Sequence, residues 1–296
     1  MLSGNVESVN PQTGEVTNWG INGTHAGISS SGEWIAYASE EPHATLVWVS
    51  NGADVWKIAE LPIGPNSVVG RLVWSDDDQQ IAFLVTFTEE PFREQLAVLD
   101  VGTGTWQLIT GPATAFAWRP DSQQIAVFPA GIDSGIGLYL IDPIQDVWHR
   151  MVRQVHISEM VWSPDGDQIA FVTSDTAYTS QLLTVYDVTD RTQNLVYSDT
   201  NYFDGLAWSP DGESITLRTE TEDLVLVDLA ATKSDLIGNQ LCCCSATWSP
   251  DGKHIAYLRK SQRTSSPSLV VHDTELGSDR VLVLEASPTV DALVWR

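Results

Sequence analysis

Basic residues are scarce. Lysine and arginine together number 15 against 39 aspartates and glutamates, a formal charge of −24 over 296 residues. A surface of that sign repels nucleic acid and anionic membranes, so neither is expected as a partner. Basic proteins, peptides and divalent cations are what it attracts. Long apolar runs are missing as well. None approaches the roughly 18 residues a membrane helix needs, so no transmembrane segment is expected. The start, Met-Leu-Ser-Gly, has neither a basic n-region nor an apolar h-region, so the chain is not expected to carry a signal peptide. Cysteine occurs three times, all at 242–244, which excludes a disulfide framework spread along the chain. No stretch of about ten residues or more carries a helical pattern. Charged residues are only 18% and hydrophobic ones 43%, which excludes disorder and leaves material for a core.

What the chain does have is repetition. The string W-S-P-D-G stands at 162–166, 208–212 and 248–252. Trp74 heads a degraded copy, W-S-D-D-D, and Trp118 heads W-R-P-D-S. Ile28 stands where a Trp is expected, before S-S-S-G, and Trp295 opens a copy that stops one residue later. The seven anchors are 46, 44, 44, 46, 40 and 47 residues apart. Seven residues beyond each of the first six comes isoleucine: Ile35, Ile81, Ile125, Ile169, Ile215 and Ile255. Alanine follows five of them, and Thr216 the other. Further on, an apolar run ends at Ser50, Asp100, Asp142, Asp187, Asp228 or Asp273.

Each unit reads as four short strands. In one unit they are 158–162, 168–173, 182–187 and a fourth around N-L-V-Y. The S-P-D-G string is a turn between the first two, with proline presetting φ and glycine accepting a positive one. Four-stranded units of this length predict a β-propeller, all-β, in one domain over 1–296. The anchor Trp then packs between blades. Six intervals plus two partial ends predict seven blades, with six or eight as alternatives. The N-terminal segment around Pro11–Gly14 would supply a third and fourth strand to the last blade. Residues 291–295 would supply its first, so both chain ends would close it.

The W-S-P-D-G…I-A-F/Y pattern, from about residue 24 to 295, resembles the TolB-like, WD-repeat-like bacterial propeller repeats. The resemblance implies a propeller, a periplasmic or extracellular setting, and protein or peptide binding without catalysis. Related repeats also form gating propellers of prolyl-oligopeptidase-like peptidases, so a gate lacking its catalytic domain is one alternative. The other is a hydrolase or lyase with an acidic site at the channel mouth, with or without Ca²⁺.

No catalytic residue is assigned. The motif residues Asp165, Asp211 and Asp251 stand one per unit, too dispersed for two carboxylates to share a glycosidic bond. There is no G-x-S-x-G elbow and no phosphate-binding glycine loop. The six histidines lack metal-ligand spacing. Cys242 and Cys244 share one face of an extended segment, as small apolar fillers, a soft-metal thiolate site or part of a strained vicinal disulfide. No cofactor is expected, Ca²⁺ apart. Partner-binding candidates come from the loops between strands two and three and between successive units. They are His25, Arg71, Glu89, Glu90, Arg93, His156, Tyr178, Tyr202, Phe203, Asp204 and Asp291. Acidic loops E-E-P at 40–42 and 89–91 contrast with the basic R-K-S-Q-R at 259–263. Tyr202 and Phe203 are the expected aromatic hot spot. Asp204 and Asp291 each precede an anchor Trp by four residues.

Overall fold

Alternation of apolar and polar residues between turn signals makes strands, and the computed structural model contains strands throughout and no helix among the described residues. It describes residues 4–41, 44–62, 67–88, 93–109, 111–120, 123–129, 137–153, 157–175, 177, 179–231, 233–242, 246–261, 266–283, 293 and 295. The strands form six antiparallel sheets, four of four strands and two of five. The fourth sheet is typical: Glu159–Trp162, Gln168–Ser174, Gln181–Asp187 and Gln193–Asp199 lie side by side in chain order. These match the sequence expectation to within a residue at most ends. By compactness the chain divides into two units, residues 1–7 with 18–156 and residues 8–17 with 157–296.

The motif is a turn and a clamp at once. In the turn, Ser163 Oγ donates to Asp165 (2.6 Å) and accepts the Gln168 N–H (2.9 Å), while Asp165 accepts the Asp167 N–H (3.0 Å). Ser209 with Asp211, and Ser249 with Asp251, repeat the Ser-to-Asp bond at 2.5 and 2.6 Å. Gly166, Gly212 and Gly252 hold φ near +70°, where a side chain is strained. These hydrogen bonds, with the serine hydroxyl the largest cause, lower the three carboxyl pKa values. The motif aspartates therefore build turns.

The tryptophan reaches into the preceding sheet. Trp74 Nε1 donates to the Gly27 carbonyl (3.0 Å) and Trp118 Nε1 to that of Val73 (3.0 Å). Trp208 donates to Val161 (3.2 Å) and Trp248 to Ala207 (3.3 Å). Each acceptor is the residue just before the previous anchor. The large ring is buried against the neighbouring sheet and its one polar atom is satisfied there, so one residue supplies both packing and register. The isoleucines seven residues on are all buried.

A second device ends every third strand. Asp187 Oδ1 accepts the N–H groups of Thr189 and Asp190, and Asp273 does the same for Glu275 and Leu276. Asn10 Oδ1 accepts those of Gln12 and Thr13 in the same way. Gly4–Val9 and the start of Val16–Ile28 thus form a third-and-fourth-strand hairpin, as the sequence predicts. One difference is topological. Val16–Ile28 runs on without a break from that hairpin into the first strand of the next sheet, joining both into one five-stranded sheet. The closing first strand expected at 291–295 lies outside the described residues except for Leu293 and Trp295. Within the second unit, Val9, Leu293 and Trp295 pack on Leu258, Leu269, Val271, Leu282 and Val283 of the sixth sheet.

Candidate functional site

Antiparallel pairing puts the motif turns and the strand three-to-four turns at one end of each sheet. The loops between strands two and three, and the segments joining successive sheets, lie at the other. In the second unit this other end gathers charge. Glu159, on the first strand of the fourth sheet, stretches to the first strand of the fifth, Phe203–Trp208. Its carboxylate accepts the Gly205 N–H (2.8 Å) and the Leu206 N–H (3.0 Å). A β-bulge between Asp204 and Ala207, with Gly205 at φ +70°, turns both amides toward it. Asp204, at the lip of that bulge, takes a bidentate ion pair from Arg218 at 2.9 and 2.8 Å. Arg218 also donates to the Cys242 carbonyl at 2.9 Å. Three sheets are therefore laced together through Glu159, Asp204 and Arg218.

Burial is the largest cause that pushes the Glu159 carboxyl up to about 7. The Asp204 charge adds to it, while the two N–H groups and Arg218 oppose it. Tyr202 lies over this cluster with 47% of its surface exposed. Its phenol is raised by burial first, then by the charges of Asp204 and Glu159. The Tyr202 carbonyl accepts the Glu220 N–H (2.7 Å), which ties the connecting segment to the loop between strands two and three. An exposed aromatic ring ringed by Glu159, Asp204 and Glu220 can cover an apolar stem and receive a positive charge beyond it.

The other expected residues are dispersed. Phe203 is fully buried and edge-on to Tyr197 at 5.3 Å, in a core cluster with Leu206 and Trp208. This corrects its expected place in an exposed aromatic pair: the strand alternates faces, so Tyr202 turns out where Phe203 turns in. His25 is half-buried at φ +58°, and its carbonyl accepts the Leu72 N–H (3.0 Å). Arg71 is exposed, and Arg93 lies 4.4 Å over the Phe87 ring. Glu89, Glu90, His156, Tyr178, Asp291 and Cys244 lie outside the described residues. Cys242 is half-buried beside Ala256 and Leu258, its N–H bonded to the Leu258 carbonyl (2.8 Å). In the basic loop, Arg259 pairs with Asp279 (3.2 Å) and Lys260 with Glu222. Among the described residues no group of three or more His, Cys, Asp or Glu could hold a metal ion. Glu159 and Arg218 were not singled out in the sequence. Their signal was a charge inside an otherwise apolar strand, S-E-M-V-W and I-T-L-R.

A family model described as the TolB beta propeller domain matches residues 68–281. No curated protein sequence matches the chain. Among solved structures it is similar to an oligogalacturonate lyase from Vibrio parahaemolyticus, with a TM-score of 0.72 at 12% identity, covering 91% of this chain and 83% of that one. It is also similar to TolB from Acinetobacter baumannii, with a TM-score of 0.58 at 18% identity, covering 88% of this chain and 64% of that one. An oligogalacturonate lyase in complex with manganese gives a TM-score of 0.69 at 13% identity, over 86% and 79%. At these identities the likeness is one of fold.

Proposed function

The chain belongs to the TolB beta propeller domain family, and from that premise we propose a non-catalytic, seven-bladed propeller that binds a protein or peptide. The partner surface is the strand ends around Tyr202, and the partner presents a basic segment. The observation that carries this reading is the exposed Tyr202 ring above the carboxylates of Glu159 and Asp204, held in place by main-chain amides and Arg218. Two further facts support it. The chain as a whole is strongly acidic. The groups around Tyr202 are already ordered by bonds across three sheets, so little entropy is lost on binding. The seventh blade is the hairpin around Asn10 together with the segment of Trp295. Both pack on the sixth sheet.

Immobilised protein and its Tyr202→Ala variant, incubated with a lysate of the source cells, test the reading. The expected result is a captured protein whose retention weakens with salt and whose affinity for the variant, measured afterwards by titration, is at least about tenfold lower. Equal affinity for both forms would remove Tyr202 from the interface and overturn the proposed surface.

A second reading, an acid–base hydrolase or lyase, is favoured by one observation: a carboxyl near 7 suits a general acid or base. Against it, both Glu159 oxygens already accept main-chain N–H groups. If Ca²⁺ completes such a site, millimolar Ca²⁺ raises the melting temperature.

A further inference from the structure

The N-terminal hairpin repeats a geometry seen elsewhere in the molecule. Gln107, seven residues after Asp100, donates from Nε2 to the carbonyl of Pro143, the residue after Asp142. Arg280, seven residues after Asp273, donates from Nη2 to the carbonyl of Pro11, the residue after Asn10, at 2.7 Å. The turns match as well. Asp100 N–H bonds the Thr105 carbonyl (2.8 Å) and Asn10 N–H that of Glu15 (2.9 Å). The hairpin therefore meets the sixth sheet as the third sheet meets the second, and Gly4–Val9 occupies the place of a third strand.

In the six sheets, every unit's third strand is paired on both sides, by a second strand and by a fourth. Gly4–Val9 ends its sheet, with Val16–Ile28 as its one strand partner among the described residues. The hydrogen-bonding phase says which main-chain groups face outward. Asn10 points to the fourth strand, so Glu7 and Val9 point away from it. The complete units show what belongs on that side. Ile169 stands in register with Trp162 on one side and Tyr186 on the other. Ile255 stands likewise between Trp248 and His272. The corresponding flanks here are Trp295 and Val9, which share one apolar cluster. Trp295 is half-buried and stacks on His254 at 6.0 Å.

We infer that the outer edge of Gly4–Val9 is a strand-addition site for an extended segment of another protein. That segment runs antiparallel to it, carries Ile-Ala followed by an aromatic or aliphatic residue, and has basic flanks. The isoleucine would lie between Trp295 and Val9. The alanine would keep the strand thin, as Ala36, Ala82, Ala126, Ala170 and Ala256 do, all of them buried. Main-chain bonds would supply affinity and the isoleucine position specificity. The net charge of −24 favours basic flanks. The inference rests on reading the hairpin as part of a seventh blade, and it concerns a surface distinct from Tyr202.

A labelled peptide with the sequence of residues 251–260, DGKHIAYLRK, is the probe, titrated by fluorescence anisotropy. Saturable binding is expected, with the same affinity for Tyr202→Ala. Binding should weaken about tenfold for a probe with the isoleucine replaced by Asp, and for Glu7→Pro, which deletes one outward N–H at an edge that tolerates proline. Circular dichroism confirms that Glu7→Pro folds. No binding by folded wild-type protein, or equal binding by Glu7→Pro, would overturn the inference. Amide exchange without peptide separates the causes. Fast exchange at Glu7 and Val9 with no binding would reject the strand pattern. Slow exchange would mean that another strand already covers the edge, and a dimer that dissolves on Glu7→Pro would identify it as a second copy; either overturns the inference.

Discussion

Glu159 sets two forces against each other. Main-chain amides hold its charged form, and burial opposes it; burial wins, leaving the carboxyl at about 7 against an ordinary 4.5. A raised carboxyl favours folding when protonated. Its stabilising contribution is fully present below about pH 4.5 and is lost as pH rises through about 7, a difference on the order of 2–3 kcal/mol. The motif aspartates act in the opposite direction. Their lowered pKa values contribute stability above the ordinary carboxylate range, which is lost as pH falls. Thermal melts from pH 5 to 8 should therefore fall more steeply for the wild type than for Glu159→Gln. Parallel curves would show that Glu159 titrates normally. Residues such as Ser163 and Asp165 were legible in the sequence because their partners lie within five positions. Glu159 was not, because its partners lie 46 and 47 residues away. Phe203 was misplaced because exposure depends on strand phase, and phase near a bulge is set by the neighbouring sheet.

At the scale of the element, the turn copies differ in a revealing way. In the W-S-D-D-D copy, Asp78 occupies the glycine position and accepts φ +56°. Its carboxylate takes the N–H of Ser30 (2.6 Å) and of Ser31 (3.2 Å), and Asp76 takes the Ser30 hydroxyl (2.7 Å). The degraded copy is thus a brace between two successive turns. Asp78→Gly relieves backbone strain of roughly 1 kcal/mol but loses two charge-assisted bonds, so the expected net effect is a loss of about 1 kcal/mol. At Gly212 an added Cβ meets nothing within 4 Å. Gly212→Ala should then cost only the conformational strain, about 1 kcal/mol. Urea unfolding of both variants measures this. A stabilised Asp78→Gly would mean that the brace contributes nothing. Strand number and order were legible because each strand is bounded by its own turn chemistry. The continuity of Val16–Ile28 was not, since no residue between the hairpin and the next sheet forbids extension.

Across the whole molecule, 39 acidic residues against 15 basic ones make the folded chain repel itself. Raising NaCl from about 0.01 to 0.5 M shortens the screening length from about 30 Å to under 5 Å and should raise the melting temperature. A larger rise in Ca²⁺ than in NaCl of equal ionic strength would point to a specific cation site. The sequence by itself determined the family, the all-β class, the four-stranded unit and the turn chemistry. All of these recur at a fixed spacing and depend on neighbours within one unit. Only the tertiary structure decided which charges meet at Glu159, which of Tyr202 and Phe203 faces out, and where the N-terminal hairpin packs. Each of these depends on contacts between sheets whose residues lie a full repeat or more apart, and no local pattern encodes them.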